Sequence, residues 1–271
     1  MGNLFRNSRR KISQGLLFWR EIGVGAPIIF LHGAWDDSSQ WLSVMDLLGQ
    51  NFHCFAPDLL GFGESEYPHV HYSVDLQVEC LRELLQALNL ERVTFVGHSL
   101  GGWVAASYAL KYPEQVSSLV LLAPEGVATE GYQKRCQKIQ ALVQRAPWMF
   151  KLLRLLTLLT KVVGFKINFA QDWQQKQMID RHSTASQMLF LRQLPEIAAE
   201  LLQDKLDVMK APTLILQGRQ DEEYALNASK AYAYFIPKAE YKIIAHGDNQ
   251  LPRSCAAVVA GDIQDFIQQY I

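Results

Sequence analysis

Val93-Thr94-Phe95-Val96-Gly97-His98-Ser99-Leu100-Gly101-Gly102 is the stretch on which the fold turns. Four β-favouring residues lead into a serine flanked by glycines, and the chain continues at once into Gly102 to Tyr112, a small-residue helix that Pro113 stops. A G-x-S-x-G turn between strand and helix lifts its serine off the end of a sheet in a strained backbone conformation. The residues two before and two after crowd against it. Gly97 and Gly101 meet that demand.

Working outward, strands are expected at Gly15 to Glu21, Pro27 to Leu31, Phe52 to Ala56 and Val116 to Leu122. Later ones follow at Thr213 to Leu216 and Tyr241 to Ala245. Between them Leu81, Leu84, Leu85 and Leu88 fall at helical spacing, and Val259, Ile263, Phe266, Ile267 and Tyr270 mark a closing helix. Short strands alternating with helices make a parallel sheet covered on both faces. Residues 126 to 207 break the rhythm with helical periodicity and no convincing strand, as a helical insertion would.

A serine hydroxyl is a poor nucleophile unless a base takes its proton and an acid orients that base. In chains of this pattern the partners follow in the order Ser, Asp or Glu, His. Of seven histidines only His182 and His246 lie beyond Ser99, and His182 sits inside the insertion. His246 directly follows the strand Tyr241 to Ala245, so its loop belongs to the carboxyl edge of the sheet. Asp221, after Thr213 to Leu216, is the first choice of acid, and Glu125, after Val116 to Leu122, is the alternative. The oxyanion needs two backbone donors. Leu100, next to the nucleophile at a helix start, offers one. The loop His32-Gly33-Ala34-Trp35 offers the other, from Ala34 or, second, Trp35.

The 271 residues are 49% hydrophobic, enough to bury a sizeable core, and the formal net charge of −1 argues against a nucleic-acid partner. That balance hides two basic segments: residues 1 to 12 carry four basic side chains and residues 131 to 171 carry eight, with no acid in either, leaving −13 for the rest. Cys54, Cys80, Cys136 and Cys255 form no C-x-x-C pair and read as reduced thiols of a cytoplasmic protein. His69 and His71 lack a third neighbour of ligand type, so no metal site is expected. The N-terminus lacks the apolar run of a signal peptide, and Lys151, Arg154 and Lys161 interrupt the most apolar stretch, Pro147 to Phe165. No membrane-spanning segment is expected.

FLHGAW at 30 to 35, PDLLGFGES at 57 to 65, GHSLGG at 97 to 102, LILQGRQD at 214 to 221 and AHGDNQLP at 245 to 252 together resemble the α/β-hydrolase superfamily, in its branch with a helical cap. The resemblance runs from Gln14 to Ile271. It implies an α/β fold with a mostly parallel eight-stranded sheet, a core at 14–125 and 208–271 and a cap at 126–207, and the basic residues ahead of it read as an N-terminal arm at 1–13. It also implies a hydrolase without cofactor whose triad is Ser99, Asp221 and His246. One departure stands out: the family has glycine before its histidine, whereas here His246 precedes Gly247. A strict alignment puts Asp248 in that slot, and we read the difference as a one-residue loop shift. Asp58, Gly61, Gly63 and Ser65 match a family turn, and His32 and His98 read as structural.

The expected reaction is hydrolysis of a small-molecule carboxylic ester, with preference for lipophilic acyl or isoprenoid-like groups. Trp35, Trp148, Phe150 and Trp173 would wall the pocket, and the basic cap would touch an anionic membrane surface peripherally. A thioesterase, a carbon-carbon bond hydrolase and a perhydrolase are rivals within the fold. A ligand receptor with little turnover is the rival from another class. Oligomeric state is not legible.

Overall fold

The computed structural model describes residues 4–130, 132, 136–137, 140–141 and 183–270. Eight strands build one sheet: β1 (Arg6–Ile12), β2 (Gly15–Ile22), β3 (Ala26–Leu31), β4 (Phe52–Pro57), β5 (Val93–His98), β6 (Val116–Leu122), β7 (Thr213–Gly218) and β8 (Ala239–Ile244). Their order is β1-β2-β4-β3-β5-β6-β7-β8. β2 is antiparallel to both β1 and β4, and every other neighbouring pair is parallel. Strands β3 to β8 therefore end at one edge, where loops from separate strands meet.

Alternation along each strand feeds two cores. Ile29, Leu31, Leu119 and Leu121 join the cluster on one face, and Ile28, Phe30, Val120 and Leu122 join the cluster on the other. Helices α1 (Leu42–Leu48), α2 (Val74–Ala87) and α3 (Leu100–Lys111) follow their strands, and the closing helix Ala256–Gln268 packs beside α1. The α2 start is capped by Ser73, whose side chain accepts from the Leu76 N–H. Trp41 and Trp103 are fully buried, each on the order of 2–3 kcal/mol of apolar transfer.

The basic segment expected as an arm outside the core is instead an edge strand. β1 pairs along its whole length with β2, from Arg6 opposite Glu21 to Ile12 opposite Gly15. An edge strand needs a backbone ladder on one side only, and charged side chains suit it because they discourage pairing with another chain. Here the charges also have partners: Arg6 lies 3.3 Å from Glu21, Arg9 lies 2.7 Å from Glu64, and the Arg9 guanidinium sits over the Phe18 ring.

All four cysteines are free, and burial pushes the Cys54 and Cys80 thiols up to about 12, which leaves them unreactive. Among the described residues no helix is long and apolar enough to cross a membrane.

Candidate active site

Ser99 stands between β5 and α3 at φ +51° and ψ −113°, a conformation that L-residues rarely adopt. Three backbone hydrogen bonds hold it there. Its N–H donates to the Leu122 carbonyl at 3.0 Å, and its carbonyl accepts from the N–H groups of Trp103 and Glu125, each at 3.1 Å. The flanking glycines follow from close approach: a Cβ on Gly97 would lie 2.4 Å from the Gly101 carbonyl oxygen, and one on Gly101 would lie 2.3 Å from that of Leu31.

The loop after β3 lies directly beside the serine, since a Cβ on Gly33 would stand 3.6 Å from Ser99 Cβ. Its peptide planes are set from both sides. The Gly33 N–H donates to Gln40 Oε1 at 3.0 Å, and the Gly33 carbonyl accepts from His32 Nδ1 at 2.8 Å. The His32 ring is in turn oriented by the Leu59 N–H, which donates to its Nε2 at 3.0 Å. In a trans peptide the carbonyl of Gly33 and the N–H of Ala34 point opposite ways, so fixing the one aims the other. The N–H groups of Ala34 and Leu100 have no hydrogen-bond partner among the described residues. Trp35 stacks on Phe190, with ring centroids 6.4 Å apart and planes 9° from parallel. Phe190 lies on a π-helical turn, Gln187–Leu191, at the base of the insertion.

The loops that carry Asp221 and His246 adjoin at the ends of β7 and β8. The Gln220 N–H donates to the Gly247 carbonyl at 2.9 Å, and a Cβ on Gly218 would meet Gly247 backbone at 2.6 Å. Asp221 is part-buried, with Oδ1 accepting from the Glu222 N–H at 2.8 Å and Oδ2 from Gln217 Nε2 at 3.0 Å. Burial raises its carboxyl above the ordinary range; those two hydrogen bonds oppose the rise, and the charges of Glu222 and Asp248 add to it. His246 is exposed and makes no hydrogen bond among the described residues. The nearby ionisable group that acts on Asp221 from this loop is thus Asp248, whose Oδ1 accepts from the Gln250 N–H and Ser254 Oγ. Glu125 is brought to the elbow by its backbone: its N–H binds Ser99 and its carbonyl accepts from Tyr232 Oη at 2.6 Å.

Trp148, Phe150, Trp173, His182 and nearly all of the basic stretch 131–171 lie outside the described residues. A cleft of about 630 Å³ lies between Ala128–Tyr132 and the helix Leu194–Glu200, lined by Tyr132, Leu194, Ile197 and Leu201, and it does not include Ser99. Asp58 holds the turn expected of it, accepting from the N–H groups of Ser38 and Glu64. Gln40 and Phe190 were not singled out from the sequence. A polar residue in a loop and an aromatic in an apolar helical run carry no periodic signal of a role.

Residues 26–249 match the family model described as alpha/beta hydrolase fold. The chain is 28% identical over 261 residues to a 2-hydroxymuconate semialdehyde hydrolase of Pseudomonas sp., spanning 91% of this chain and 88% of that one. It is 27% identical over 248 residues to the human monoacylglycerol lipase ABHD6, spanning 86% of this chain and 73% of that one. Uncharacterized mycobacterial proteins match a 112-residue segment at 44% identity, which spans 41% of this chain and only 33% of theirs. Among solved structures, that of a membrane phospholipase A superposes with a TM-score of 0.75 at 20% identity, covering 98% of this chain and 86% of that one.

Proposed function

The chain belongs to the α/β-hydrolase fold family, and from that premise we propose a cofactor-independent serine hydrolase of carboxylic esters with a preference for lipophilic ones. The observation that carries the reading is the strained Ser99, with the Ala34 and Leu100 amides, unpartnered among the described residues, in the adjoining loop and helix start. A left-handed serine is costly to keep unless its hydroxyl has a use.

In this mechanism Ser99 Oγ attacks the ester carbonyl while His246 takes its proton, and the Ala34 and Leu100 amides stabilise the oxyanion. Asp221 orients the imidazolium, with Glu125 as the alternative acid. His246 then protonates the departing alcohol, and water, deprotonated by the same imidazole, releases the acid and regenerates Ser99. The lipophilic preference draws on the apolar cleft at the insertion and on the name of the monoacylglycerol lipase relative. The basic insertion would bring the protein against an anionic membrane surface from the cytoplasmic side.

A second reading, a ligand receptor on the same scaffold with little turnover, draws on the negative charge of Asp248 acting on Asp221 while His246 is exposed. Activated esters of graded acyl length, with and without anionic vesicles, separate the two. Steady turnover that rises with chain length and vanishes in Ser99→Ala supports the hydrolase. Saturable binding without turnover supports the receptor, and equal rates at all lengths with no vesicle effect remove the lipid preference.

A further inference from the structure

Three loops, those after β3, β5 and β8, meet at His98, the residue before Ser99, and their relative position decides whether a reacting carbonyl meets nucleophile, oxyanion donors and base together. One buried chain of side-chain hydrogen bonds links all three. Gln40, fully enclosed at the end of the 3-10 turn Ser38–Trp41, accepts the Gly33 N–H through Oε1 at 3.0 Å. A backbone N–H can only donate, so the atom facing it must be the amide oxygen. The other amide atom, Nε2, then lies 2.7 Å from His98 Nδ1 and donates to it. That fixes Nδ1 as an acceptor and leaves the ring proton on Nε2. His98 is buried, and its ring bonds the backbone of Asn249. With Nδ1 already accepting, the Nε2–H is the donor and the Asn249 carbonyl the acceptor.

The relay therefore runs from the oxyanion loop (Gly33) through Gln40 and His98, the residue before the nucleophile, to the loop that carries His246 and Asp248. Burial supports the same arrangement, since it keeps the His98 ring neutral, with its pKa lowered to about 4.

We propose that Gln40 and His98 are positioning residues for the reaction at Ser99, setting the oxyanion loop and the 245–250 loop in register through one shared imidazole. The proposal rests on the serine-hydrolase reading. Neither side chain is assigned to touch substrate, so their loss acts on the transition state through misplaced donors. Misplacement on the ångström scale costs about 100-fold in rate, and loss of one oxyanion donor about 100- to 1000-fold.

The test has two arms on the full-length protein. In the first, Gln40→Met keeps length and apolar volume but removes both hydrogen bonds, and kcat for an activated ester is expected to fall about 10- to 100-fold while KM stays within about twofold. Gln40→Glu keeps the acceptor for Gly33 and is expected to recover part of the loss. Unchanged kcat, or a change confined to KM, overturns the proposal. In the second arm, long-range proton–nitrogen NMR of the wild type reads the His98 tautomer, expected as Nε2–H with bare Nδ1; the opposite tautomer overturns the relay whatever the variants do. Absence of wild-type turnover with the expected tautomer would count against the hydrolase reading and the catalytic purpose of the relay, while the relay's geometry would stand.

Discussion

Replacing Ser99 should make this protein more stable if glycine takes its place than if alanine does. Ser99 holds φ at +51° and ψ at −113°, and the strain belongs to its Cβ rather than to its hydroxyl. Ser99→Ala keeps that Cβ, and Ser99→Gly removes it. Both remove the hydroxyl, and both leave intact the backbone bonds to Leu122, Trp103 and Glu125. Strain of this kind is worth about 1–3 kcal/mol, against which glycine costs roughly 0.5–1 kcal/mol of extra unfolded-chain entropy. Taken at the middle of both ranges, glycine gains about 1 kcal/mol over alanine, or roughly 2 °C in Tm at this chain length. Urea unfolding followed by tryptophan fluorescence, with parallel thermal melts, measures the difference. If Ser99→Ala equals or exceeds Ser99→Gly in stability, the turn is not strained and the argument from its geometry to a reactive serine fails.

Other outcomes follow from the same coordinates. His246→Ala should lower kcat by about 100- to 10,000-fold if it is the general base; an unaltered rate, with the loss appearing in Asp248→Ala instead, would move the proton transfer to the Asp248 carboxylate. Gly101→Ala puts a methyl 2.3 Å from the Leu31 carbonyl oxygen and 2.6 Å from that of His32, so it should cost about 1–3 kcal/mol and displace the loop after β3; a wild-type melting curve would contradict this. His98 has its pKa lowered to about 4 from an ordinary 6.5, chiefly by burial. Its contribution to stability is complete above pH 6.5. Between pH 6.5 and 4 the unfolded chain takes up a proton that the folded one refuses, so on the order of 3 kcal/mol is lost over that window. His98→Asn should flatten the stability profile there, and an unchanged slope would assign it to other groups.

What the sequence made legible was whatever rests on short-range sterics. The elbow could be read because Gly97 and Gly101 are demanded by backbone atoms only 2.4 Å and 2.3 Å from where a Cβ would stand. Strands β3 to β7 could be read because both faces of the sheet are apolar and the runs are short, rich in β-branched or aromatic residues. β1 was missed because an edge strand is held by a ladder and ion pairs, and Arg6–Ile12 shows no apolar alternation to betray it. The 245–250 loop is harder still. Its register depends on where β8 ends, Ile244, and on the bond between Gly247 and Gln220, neither of which composition or periodicity encodes. Gln40 escaped for a related reason. Its role comes from facing both Gly33 and His98, the latter 58 positions away in the chain.

Intact-mass spectrometry after brief exposure to an activated lipophilic ester tests the central claim most directly. Ser99, held at a strained backbone conformation, should form a stoichiometric acyl adduct that maps to the peptide containing residue 99, decays with the steady-state rate, and is missing from Ser99→Ala. No adduct at any time, or an adduct that persists in Ser99→Ala, would contradict the assignment of Ser99 as the nucleophile.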